Sequence, residues 1–257
     1  MFQNTIDKVV ENKFPEIDKD QLYNNSSLIN YLIYKTKSAN KGAKARASYA
    51  NIYALYVLIE DYINNGYHQN TKYEDYEGAN YSDLFARQRQ LPFGEKLQNH
   101  ALNNRLNSEY EKLFPLEEKP PIIRDLSTNK YWINEHLLNI KINKTTINIA
   151  ELVIAIIDEY INTKRQGFEE FIAKCEDILN KSDKKKLGFI QALLADNVDA
   201  RIFEIVSFAI LKEFYSTKFV WLGESQDLVE QKYLTLYKTG RTNANDGGID
   251  YVMQPLG

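Results

Sequence analysis

Apolar residues recur at spacings of three and four through much of this chain, and that period predicts helices. Over residues 45–63, Ile52, Leu55, Tyr56, Ile59 and Tyr62 fall on one stripe, with Gly66 as the stop. Residues 94–113 carry Leu97, Ala101, Leu102, Leu106, Tyr110 and Leu113 in the same way. Further helical periods run over 150–163, 168–180, 184–195 and 199–216. Elsewhere the period changes. Ile140, Ile142, Ile147 and Ile149 flank a polar Asn143–Lys144, which is the pattern of a small hairpin, and residues 218–222 suit a short strand. Three of the six prolines lie within 115–121, with charged residues between them, so this stretch is the best linker. The expected fold is predominantly α with a small β component. It divides into a helical region 1–120, a hairpin with helices over 121–196, and a C-terminal piece 197–257. No internal repeat or low-complexity segment interrupts this order.

The chain has 257 residues, 44% hydrophobic and 26% charged, an ordinary globular composition that can bury a core. A net charge of −3 argues against a protein that coats nucleic acid without regard to sequence, but it leaves room for a local basic lining. Tyrosine is abundant at 18 residues; its ring packs a core and also stacks on bases. Cys175 is the lone cysteine, which excludes an internal disulfide framework and a cysteine-rich zinc site. His68, His100 and His136 show no ligand spacing. No secretory leader pattern opens the chain and no apolar run approaches about 18 residues, so a cytoplasmic protein without a membrane span is expected.

Two segments concentrate donors. Lys35, Lys37, Lys41, Lys44 and Arg46 fall within twelve residues that contain no acid, interspersed with Ser38, Asn40, Gly42 and alanines. Such a loop, leading into a helix N-terminus, suits a phosphate; the alternative is a solvated lysine-rich loop. Residues 81–105 include Arg87, Arg89, Gln90, Lys96, Gln98, Asn99, His100, Asn103, Asn104 and Arg105, with a break at Pro92–Gly94. Their donors match base edges and phosphates, or else bond within the protein between helices. Lys184–Lys186 reads as the exposed start of a helix.

The informative chemistry lies in 199–257. A helix carrying Arg201, Phe203 and Glu204 precedes a short strand, and then comes the run Asp246, Gly247, Gly248, Ile249, Asp250. Two glycines allow a tight turn and a close backbone approach. Ile249, Tyr251 and Met253 alternate with Asp250, Val252 and Gln254, so a strand here would bury one set and present the other. Lys238, Arg241, Asn243 and Asn245 stand just before the turn as candidate phosphate or base contacts.

In this order the chain resembles the PD-(D/E)XK nuclease superfamily, in particular its Mrr-like and type II restriction members, over about 60 residues. The resemblance implies a type II restriction endonuclease that hydrolyses phosphodiester bonds in double-stranded DNA with Mg²⁺, and a homodimer on a symmetric site. It makes Asp250 a catalytic metal ligand and Glu204 an auxiliary acid that reaches the metal; for Asp246 the alternative to a role in the site is a cap on the turn. It also implies that residues 197–257 begin an α/β nuclease core. The family's second motif, an acid or Gln, one residue, then Lys, has no convincing match before Gly257. The core is therefore expected to be incomplete and this chain weakly active or inactive. The competing readings are a non-catalytic helical DNA-binding or protein-interaction module, and a nuclease acting on modified DNA.

Overall fold

A computed structural model describes residues 2–37, 45–69, 73–95, 97–117, 120–195, 200–223, 229–238 and 251–255. The fold is predominantly α with small antiparallel sheets, and the chain divides into two compact units, Met1–Ile172 and Ala173–Gly257. The division falls far beyond the proline-rich stretch, so the boundary expected near residue 120 lies inside the first unit. Among the described residues no helix is long and apolar enough to cross a membrane.

The first unit opens with α1 (Gln3–Lys13), α2 (Lys19–Asn25) and α3 (Ser27–Thr36). Asp18 and Ser26 accept hydrogen bonds from the backbone amides of Gln21 and Ile29, and so begin α2 and α3. Next comes α4 (Ala45–Asn64), the centre of the core. Its Ile52, Tyr53, Ala54, Leu55, Leu58 and Ile59 are wholly enclosed, so this stretch of helix is covered on more than one face. Each large apolar side chain buried there contributes about 1.5–3 kcal/mol. The helix ends as its sequence predicts, with Gly66 at φ 79°.

The tyrosines serve this core. Tyr31, Tyr53, Tyr62, Tyr110 and Tyr160 are among the largest fully buried side chains. Each of three keeps its hydroxyl satisfied: Tyr53 donates to Pro92 O at 2.6 Å, Tyr62 to Glu135 Oε1 at 2.6 Å and Tyr110 to Ser27 Oγ at 2.8 Å. Burial raises the pKa of all three.

Residues 94–113 depart from the single helix expected of them. A π-helical turn, Ala101–Arg105, runs into α6 (Leu106–Leu113), while 91–95 and 97–99 form turns and irregular chain after α5 (Tyr81–Gln90). Pro92 and Gly94 are the cause. Gly94 is pressed so close to the chain that a Cβ would lie 2.4 Å from Gln88 O and 2.7 Å from Leu91 O. The apolar positions Leu97, Ala101, Leu102, Leu106 and Tyr110 are buried all the same.

A sheet of order β1-β3-β2 follows, from β1 (Ala79–Asn80), β2 (Ile122–Asp125) and β3 (Lys130–Ile133), all antiparallel. The hairpin of β4 (Asn139–Ile142) and β5 (Thr145–Asn148) forms where the alternation predicts it. Its two turn residues, Asn143 and Lys144, both have positive φ, 49° and 69°, as a two-residue turn between twisted strands requires. Gln21 and Asn25 of α2 bond to Asn143 and to Lys141 O, tying the hairpin to the helical core. Then α7 (Ala150–Leu179) runs unbroken through Gly167, where two helices are expected. One glycine costs a helix only about 1 kcal/mol, and no proline breaks it.

The second unit contains α8 (Asp183–Leu193), α9 (Ala200–Ser216), β6 (Phe219–Gly223), β7 (Val229–Lys238) and β8 (Tyr251–Pro255). The lysines 184–186 lie in the first turn of α8, Lys184 and Lys185 exposed as read from sequence and Lys186 half-buried. The strands form an antiparallel sheet of order β6-β7-β8, and α9 packs against β7. The alternation expected along residues 249–254 is not realised in β8. Tyr251 and Val252 are half-buried, and Met253 is 39% exposed, because β8 pairs with β7 alone among the described strands.

Candidate functional site

In the second unit, α9 places Phe203 and Glu204 in its first turns. Phe203 is 49% exposed and Glu204 half-buried. The hydroxyl of Tyr251 donates to Glu204 O at 2.7 Å, and the Tyr251 ring lies 5.5 Å from that of Phe208. The start of β8 is thereby fastened to the helix at the turn that carries Glu204. In the β7–β8 ladder Tyr251 stands opposite Lys238, so the end of β7 arrives at the same place.

Asp250, Asp246, Arg241 and Asn243 lie outside the described residues, as do the side chains of Arg201 and Lys238. Among the described residues no three His, Cys, Asp or Glu side chains form a group that could hold a metal ion. Of the two ligands expected for Mg²⁺, Glu204 is thus the one described, and a carboxylate oxygen is the donor type that ion takes.

In the first unit, the structure separates the polar residues of 81–105. Arg87 Nε and Nη2 each meet a Glu60 carboxylate oxygen at 2.7 Å. That hydrogen-bonded pair raises the Arg87 pKa, and its charge is already matched. Gln88 is fully buried and donates to Ala50 O at 2.8 Å. These two follow the internal reading of the segment. Arg89 is exposed; its Nε donates to Glu95 O at 2.8 Å and its guanidinium stands 5.7 Å over the Phe85 ring. Arg105 is exposed, Asn99 and Asn103 are half-buried, and Lys96 lies outside the described residues.

The basic run 35–46 is not one loop. Lys35 belongs to α3, is 7% exposed, and pairs with Glu109 Oε1. Lys41 and Lys44 lie outside the described residues, and Arg46 sits on the first turn of α4 with its side chain likewise outside them.

Two groupings have no forerunner in the sequence reading. Around the Arg87–Glu60 pair, Tyr56 bonds to Asp158, with Lys13 near enough to act on the same carboxyl. Burial raises the Asp158 pKa against the opposing effect of the Tyr56 bond, and burial with the nearby acids pushes Tyr56 up to about 12. The sequence signal is the pair Tyr56 and Glu60, polar-ended residues spaced i, i+4 on a largely apolar helix. The second grouping is a polar cleft of about 280 Å³, whose lining includes Asn25, Ser27, Glu117, His136 and Lys141. None of the sequence-predicted site residues lines it.

Compared with known protein families, curated proteins and solved structures, the chain matches none.

Proposed function

We propose that this chain acts on double-stranded DNA as part of a Mg²⁺-dependent type II restriction endonuclease, with Asp250 and Glu204 as its metal-facing acids. The observation that supports the reading is the bond from Tyr251 to Glu204 O. The residue that follows Asp250 in sequence touches the helical turn of Glu204, with Lys238 opposite it in the ladder. In this reading Asp250, the neighbour of Tyr251 in sequence, and Glu204 are the acids, and Lys238 with the residues after it supplies a basic flank. Such a flank holds a phosphate in register while the carboxylates face it. Mg²⁺, when bound, polarises the scissile phosphate and lowers the pKa of the attacking water. A homodimer matches a symmetric DNA site in this reading.

A second reading, a non-catalytic interaction module, is favoured by α9 itself. Its Phe203, Ile205, Ile210 and Phe214 are all exposed, which suits a surface that meets another protein.

Plasmid DNA incubated with Mg²⁺ and the protein, beside Asp250→Ala and Glu204→Gln, separates the two. Discrete fragments from the wild type alone support the nuclease. Equal cutting by Asp250→Ala removes that residue from the chemistry. A wild type that neither cuts the plasmid nor binds a DNA duplex in Mg²⁺ turns the reading toward the interaction module.

A further inference from the structure

Phe93 combines backbone strain, exposure and a rigid mount. Leu91–Gly94 is a tight turn closed by Gly94 N to Leu91 O at 2.8 Å. Its third position, where glycine or asparagine normally supplies a positive φ, is occupied by Phe93 at φ 64°. The turn is held from several sides. Tyr53 donates to Pro92 O at 2.6 Å, Arg89 bonds to Glu95 O at 2.8 Å, and Gly94 has no room for a side chain. A ring recruited only to fill the core would be enclosed, yet Phe93 is 45% exposed. It stands 6.2 Å from Phe168, edge to face at 73°, and Phe168 is itself 54% exposed. Tyr49 supports Phe93 at 6.0 Å.

We infer that Phe93, buttressed edge to face by Phe168, is a stacking platform for an unpaired DNA base, an inference that rests on the DNA reading above. Strained residues persist where the surrounding structure over-determines them, and they cluster at ligand contacts. Every base offers a π-face to such a platform, whatever the sequence. Exposed Arg89, Gln90, Gln98 and His100 lie within seven residues of Phe93, and exposed Arg165 lies three before Phe168. They supply donors for the phosphates and edges around a stacked base. Glu95 and Glu169 are exposed in the same segments, so stacking rather than charge carries the contact.

The test is the binding of a fluorescein-labelled oligothymidine to the whole chain, followed by anisotropy across a salt series. Phe93→Gly suits the turn and keeps the fold, which a thermal melt verifies; Phe93→Trp restores an aromatic face. Phe93→Gly weakens binding about tenfold, Phe168→Ala acts in the same direction, and Phe93→Trp keeps wild-type affinity. The dependence of affinity on salt is the same for all four proteins, because no ionic contact is lost. Equal affinity of wild type and Phe93→Gly overturns the platform while leaving the DNA reading in place. A wild type that binds neither the oligothymidine nor a duplex removes both.

Discussion

Arg87 grips Glu60 through a two-pronged contact, Nε to Oε2 and Nη2 to Oε1, each 2.7 Å. The pair joins α5 to α4 and occupies a cation whose position in sequence suggests a phosphate contact. Arg87→Ala lowers the unfolding free energy by about 1 kcal/mol, the scale of a well-formed but partly exposed pair, as read by urea denaturation. It leaves the salt dependence of any DNA binding unchanged. Arg105→Ala, at an exposed site, lowers that slope by about one. A reversed order of the two slopes would assign Arg87 to the DNA after all.

Lys35 and Glu109 form another ionic contact between helices. Glu109 Oε1 takes the ammonium and Oε2 accepts from Asn51 Nδ2 at 2.6 Å, while Lys35 is 7% exposed. Glu109→Ala strands a buried charge and costs about 3 kcal/mol. The double variant Lys35→Met with Glu109→Leu recovers most of that loss, because no charge remains to be paired. Urea melts of the single and double variants give both numbers, and a single-variant cost below about 1 kcal/mol would show that water reaches the ammonium.

Lys144 carries the turn of the β4–β5 hairpin at φ 69°, where a side chain is unfavourable. Lys144→Gly yields the Asn-Gly pair that this turn prefers and raises stability by about 0.5–1 kcal/mol. A melting temperature at or below the wild type would mean that the Lys144 side chain makes a compensating contact.

Asp125 accepts from Ser127 Oγ at 2.5 Å, Thr128 Oγ1 at 2.8 Å and Ser127 N at 2.9 Å. These bonds, the Ser127 hydroxyl first, hold its carboxyl down at about 2 against an ordinary 3.8. A depressed carboxylate stabilises the fold fully above the ordinary value and loses that contribution as pH falls toward the depressed one. An NMR titration of Asp125 in Ser127→Ala with Thr128→Val returns the midpoint toward 3.8. A midpoint that stays near 2 would transfer the cause to the backbone amides.

Much of the architecture was legible from local patterns. The core helix α4, its Gly66 stop, the Asn143–Lys144 turn and the helix–strand order α9 to β6 all follow from periods and turn chemistry within a few residues. The misses have a common physical origin. Strand β7 places Val229, Tyr233, Leu234, Leu236 and Tyr237 on both faces, so no period of two marks it. The pairing of Ala79 with Tyr131 links positions far apart in the chain and leaves no local trace. Gly167 looks like a helix break, yet the helix continues because one glycine costs it only about 1 kcal/mol.

The candidate site divides along the same line. Arg87 and Lys35 read as free cations until the fold brings Glu60 and Glu109 to them. Phe93 reads as one more apolar residue beside a proline, and only its φ and exposure distinguish it.

What the sequence determined by itself is the helical fold with its small sheets, its breaks and its Asp-Gly-Gly-Ile-Asp run, because these depend on neighbours along the chain. What the tertiary structure alone decided is which donors are spent inside the protein and which face outward. That choice depends on partners brought together across long separations, where the energy of a charge is set by burial and by the carboxylate opposite it.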